Sequence, residues 1–81
     1  MTVNIIKGTF NKVEAISLLT KMIDVKIKFQ EDKIHLTQNE EDIKMREMRI
    51  KQLQKELFET RHFIDNHPEP ISIKAKIELS A

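Results

Sequence analysis

The sequence predicts an α+β fold, mostly α, in the order β-α-α-β. A long, coiled-coil-like antiparallel helical hairpin carries two short terminal strands that pair at its base, and dimerisation completes the fold. Three observations predict it. Apolar residues alternate at both ends of the chain, in residues 3–7 and 71–79. Between them, two stretches carry apolar residues at helical spacing, separated at Thr37-Gln38-Asn39. The two halves also mirror each other about Asn39: Ile16 matches Ile64, Ile23 matches Leu57, Ile27 matches Leu53 or Ile50, and Ile34 matches Ile43. The two arms of one hairpin require that correspondence.

The first strand is expected over residues 2–7, which are rich in β-branched side chains, with Gly8 and Thr9 breaking it. Asn11 and Glu14 have the spacing of a capping box, so the first helix is expected over 12–36. At about 100° per residue, Ile16, Leu19, Ile23, Ile27 and Ile34 form one stripe, interrupted by Gln30. Ala15, Leu18, Met22, Val25, Phe29 and Leu36 form a second, and Ser17, Lys21, Asp24, Lys28 and Asp32 occupy the polar side. A rival reading makes residues 24–36 a β-hairpin, because Val25, Ile27 and Phe29 alternate, as do Ile34 and Leu36. Helix is preferred, since the following helix needs a partner of similar length and Gln30-Glu31-Asp32 lacks the glycine of a tight hairpin.

The second helix is expected over 38–66, opened by a capping box on Thr37 and Glu40, with Glu40, Glu41 and Asp42 at the positive end of its dipole. Ile43, Ile50, Leu57 and Ile64 recur every seven residues, with Leu53 between them, as in an antiparallel coiled coil. Glu40/Lys44, Asp42/Arg46 and Glu47/Lys51 have ion-pair spacing along one helix. Pro68 and Pro70 end the helix. In the last strand, expected over 71–79, Ile71, Ile73, Ala75, Ile77 and Leu79 alternate with Ser72, Lys74, Lys76 and Glu78. Val3 is expected opposite Ile77, and Ile5 opposite Ala75. Residues 1–81 are read as a single domain. Prefoldin is similar in combining a long helical hairpin with short strands, but its strands lie between the helices rather than outside them. Nothing is carried over from that family.

Composition narrows the function classes. The chain has 81 residues and no cysteine, so disulfides and thiolate metal sites are excluded. No apolar run approaches the roughly 20 residues of a membrane span, and the first residues lack a signal-peptide pattern; a soluble cytoplasmic protein without membrane contact is expected. With 14 basic and 13 acidic residues, a net charge of +1 exerts no long-range pull on nucleic acid.

No catalytic, cofactor-binding or metal site is expected, and hence no cofactor and no enzyme activity. Glu59, His62 and Asp65 share the end of the second helix but match no zinc pattern. The single Gly8 rules out a glycine-rich phosphate loop, and Ser17, Ser72 and Ser80 lie in no nucleophile context. Lys44, Lys51 and Lys55 share a helix face, but acids flank them and no aromatic lies among them to stack on bases.

The stronger signal is the second stripe of the first helix. Leu18, Met22, Val25 and Phe29 cannot all face the second helix, and they are the candidate interface. The terminal strands could absorb Leu18 and Met22, while Phe29 lies too far along the helix. The expected function is therefore a non-enzymatic small oligomeric interaction or adaptor protein, a homodimer, acting through helical-hairpin and strand-edge surfaces on an unidentified protein partner. The alternative is a nucleic-acid-binding regulator that uses the lysine faces of a dimer, including Lys74 and Lys76. A small ligand held between helices of the dimer is a third.

Overall fold

Asn11 decides where the first helix begins. Its side chain accepts from the Glu14 amide at 2.8 Å, and its own amide donates to Glu14 Oε1 at 3.2 Å, which completes the expected capping box. The structure, a computed structural model, describes all residues 1–81 in the order β1 (Thr2–Phe10), α1 (Lys12–Leu36), α2 (Glu40–Asp65) and β2 (Ile71–Glu78). It is an α+β fold, mostly helical, and β1 and β2 form a two-stranded antiparallel sheet. The helix continues through residues 24–36, so the β-hairpin reading of that segment fails. No helix is long and apolar enough to cross a membrane.

β1 departs from expectation at two places. It does not stop at Gly8: that residue keeps a negative-φ backbone, pairs with Ile73, and lies beneath the Phe10 ring, 3.7 Å from where a Cβ would stand. Cross-strand pairing and the covering ring offset the missing side chain, and the strand runs on to Phe10. The register also shifts. Val3 lies opposite Ile77 as expected, but Ala75 faces Ile6, with a bulge between Asn4 and Ile6. The sequence demands this shift. Val3 is at an odd position while Ile6 and Phe10 are at even ones, and a strict alternation would turn one set to water. One extra residue at Ile5 brings Val3, Ile6, Gly8 and Phe10 onto a common face and leaves Ile5 half-exposed.

The core lies at the base. Ile6, Ala15, Ile64, Ile71 and Ile73 are buried together, with Phe10, Ile16, Leu18, Leu19, Met22 and Ala75 packed against them. Ala15 has no exposed surface, and its small side chain lets the sheet and α2 approach α1 closely. Polar ties hold the same end closed. The Lys12 amide, unsatisfied within its own helix, donates to Glu69 Oε1 at 2.7 Å, and Lys12 Nζ donates to the Asp65 carbonyl at 3.1 Å.

The turn between the helices is three residues long, 37–39, and α2 starts two residues later than expected. Thr37 closes α1, its amide donating to the Ile34 carbonyl, and its hydroxyl accepts from the Asn39 amide. Asn39 caps α2 instead, accepting from the amides of Glu41 and Asp42 at 2.9 and 3.1 Å. Asn satisfies two amides from one oxygen here, so Thr37 is free to terminate the preceding helix. Among the expected pairs along α2, Asp42–Arg46 forms at 3.2 Å. The other ion pairs are exposed Lys28–Asp32 and Lys55–Glu59, in place of Glu40/Lys44 and Glu47/Lys51, which stay apart.

The hairpin seam is thinner than the mirror implied. Leu53 and Ile64 are buried, but Ile23 and Leu57, matched across the mirror, are only half-buried, as are Ile27, Ile34, Ile43 and Ile50. Two helices side by side cover their seam from one direction each. The extents of 46 × 31 × 13 Å and a radius of gyration of 15.3 Å express the same flatness. A compact chain of this length would have a radius near 12 Å.

Candidate interaction surface

The sheet lies along α1, with β2 the strand nearer to it, and this divides the four candidate interface residues. Leu18 sits beside Phe10 and is half-buried against the core. Met22 also touches the core, but its outer side joins Ile5, Leu19, Ile23, Val25, Lys26 and Ile77 in lining an apolar groove between α1 and the far end of the sheet. Val25, 70% exposed, forms the outer wall of that groove. Phe29 lies beyond the sheet, 54% exposed, with Lys33 Nζ 5.6 Å from its ring centroid. Ile5 and Ile77 were not foreseen as members of this surface. The adjacent pair Ile5-Ile6 was the available signal, since two apolar neighbours in a strand cannot share one face without a bulge.

β2 itself passes from covered to bare. Ile71 and Ile73 are buried, Ala75 is half-buried, Ile77 is 42% exposed, and Leu79, just past the end of the strand, is 55% exposed. On the opposite, wet face of the sheet, Lys7 lies directly across from Lys74, with Lys76 two residues further along.

The seam carries two polar features. Gln30, the interruption in the first stripe, accepts from Arg46 Nη1 at 2.9 Å, and Arg46 is also held by Asp42. Asp42, Arg46 and Gln30 thus clasp the two helices near the turn. Thr20 Oγ1 is the buried side-chain oxygen without a hydrogen-bond partner. At the end of α2, Phe58 stacks on His62 and Phe63 on His67, with centroids 6.4 and 4.0 Å apart. Glu59, His62 and Asp65 do not converge, and no group of three or more His, Asp or Glu side chains is placed to hold a metal ion.

Chemically, this surface offers apolar area and unpaired strand backbone. No charged or polar residue is buried as a whole, and the one buried side-chain oxygen without a partner is the Thr20 hydroxyl. Compared with known proteins, the chain matches no family model, no curated protein sequence and no solved structure.

Proposed function

We propose that this chain is a non-enzymatic interaction protein of the cytoplasm that works as a homodimer, its second copy covering the α1 groove and the bare end of the sheet. One observation carries the reading. The chain exposes 6593 Å², whereas a compact monomer of 9.6 kDa exposes about 5,100 Å² by surface scaling. The surplus is on the order of 1,500 Å², about twice what each partner contributes to a standard interface. Apolar groups in and beside the groove make up part of that surplus, and burying them against a second copy supplies the layer that a two-stranded sheet lacks. The non-enzymatic part is supported by there being no fully buried ionisable side chain.

Sedimentation equilibrium at micromolar concentration tests this. The expected mass is twice the 9.6 kDa chain mass. Val25→Glu combined with Phe29→Glu should return a monomer that keeps its helical circular dichroism. A wild-type chain that stays monomeric at high micromolar concentration overturns the reading.

A second reading, nucleic-acid binding, is favoured by the juxtaposition of Lys7 and Lys74 beside Lys76 on the wet face of the sheet. It predicts binding to mixed duplex DNA or RNA that weakens steeply as salt rises. Salt-independent binding, or none at low salt, removes it.

A further inference from the structure

We propose that the second copy adds along the free edge of β2, antiparallel about a twofold axis at Ile77, making a four-stranded sheet in the order β1-β2-β2-β1. The proposal rests on the homodimer reading and specifies where and in what register the copies meet.

The two edges of the sheet are not equivalent. β1 carries the bulge at Ile5, which breaks the even spacing of amides and carbonyls that an added strand would need. β2 has no bulge, no glycine and no proline within its eight residues. Backbone direction is settled by Leu79, whose amide donates to the Met1 carbonyl at 2.7 Å and whose carbonyl accepts from the Met1 amino group at 3.0 Å. Leu79 therefore faces β1. Alternation along a regular strand then turns the N–H and C=O of Lys74, Lys76 and Glu78 to the open edge.

Charge selects the register. A twofold at Ala75 would set Lys74 against Lys76 of the other copy twice, and a twofold at Lys76, although it sets each Lys74 against the other copy's Glu78, would set Lys76 against itself. A twofold at Ile77 sets each Lys76 against the other copy's Glu78 and each Lys74 against Ser80. It creates two attractive pairs and no repulsive one. Within the chain, Lys76 and Glu78 face only the neutral Asn4 and Thr2, so their charges have no cross-strand use in one copy. On the apolar face, the same register places Ile77 against Ile77 and Leu79 against Ala75. Those contacts cover Ile77 and, just past the end of β2, Leu79, which are left 42% and 55% exposed.

The register is tested by charge exchange and by cross-linking. Lys76→Glu and Glu78→Lys each turn two attractive pairs into repulsive ones, and each should raise the dimer dissociation constant about tenfold. The double exchange should restore it to within about threefold. Ile77 stands at a non-hydrogen-bonded pair, where Cα atoms lie about 4.5 Å apart, within disulfide reach. The chain has no cysteine, so Ile77→Cys should give a covalent dimer under mild oxidation without background. Ser72→Cys, whose two copies would stand about 30 Å apart, should not. A wild-type dimer whose Ile77→Cys variant does not cross-link and whose double exchange gives no rescue overturns the edge register and leaves the homodimer reading intact. A wild-type monomer overturns both.

Discussion

The two ends of β2 carry the same alternation of apolar and polar residues and meet different fates. Ile71 and Ile73 are 7% and 8% exposed, whereas Ile77, on the same face of the same strand, and Leu79, just past its end, are 42% and 55% exposed. The difference lies in what stands opposite. At the base, Ala15 brings α1 close and Ile64 of α2 closes the packing from behind. Toward the far end, α1 stands opposite without α2 behind the sheet, and Leu19, Met22, Ile23 and Val25 line an open groove. An amphipathic strand states which face seeks cover and not whether the same chain supplies it.

Ile64→Ala sharpens that contrast most. It empties a site that is 1% exposed, and urea unfolding should register a loss of about 2–5 kcal/mol. Ile77→Ala, at concentrations low enough to keep copies apart, should change monomer stability by no more than about 1 kcal/mol. Equal losses at the two sites would mean that the far end is as well packed as the base.

Smaller effects probe the hairpin between those ends. Asn11→Ala removes the cap that starts α1 and should lower the unfolding free energy by about 1 kcal/mol. Thr20→Val should move the other way, raising it by up to about 1 kcal/mol, because it exchanges an unpartnered buried hydroxyl for a methyl group. If Thr20→Val is instead destabilising in the same urea titration, the hydroxyl has a partner. Lys28→Ala, on the wet side of α1 with only an exposed pair to Asp32, should stay within about 0.5 kcal/mol.

Much of the architecture was legible because antiparallel pairing is a sum rule. Ile16 with Ile64 and Ile23 with Leu57 share one constant, and that constant also places Val3 opposite Ile77. The rule fails where its premise of unbroken register fails. Past the bulge the constant changes by one, which is why Ile6 and not Ile5 faces Ala75. The turn was misassigned for a chemical reason: Thr37 and Asn39 are both good caps, and sequence spacing does not say that one ends a helix while the other begins the next. Gln30 read as a flaw in a stripe, and its partner Arg46 was visible only as half of an ion pair with Asp42. Of the candidate surface, Met22, Val25 and Phe29 were named from helical spacing. Ile5 and Ile77 entered because the sheet lies along α1, which periodicity along one element cannot reveal.

The hydrogen bonds between Met1 and Leu79 have a consequence for the order of folding. Each pairing in the sheet joins residues about sixty or more apart in sequence, while each helical turn joins residues four apart. The ends of the chain start as remote points of a polymer, and the helical hairpin brings them together before the strands can meet. In stopped-flow experiments, helical ellipticity should therefore recover ahead of any probe placed on the sheet. Joining Ala81 to Met1 through a short linker and opening the chain at Gln38 would reverse the relation: β2 and β1 would become neighbours across a local turn, and the sheet signal should no longer lag.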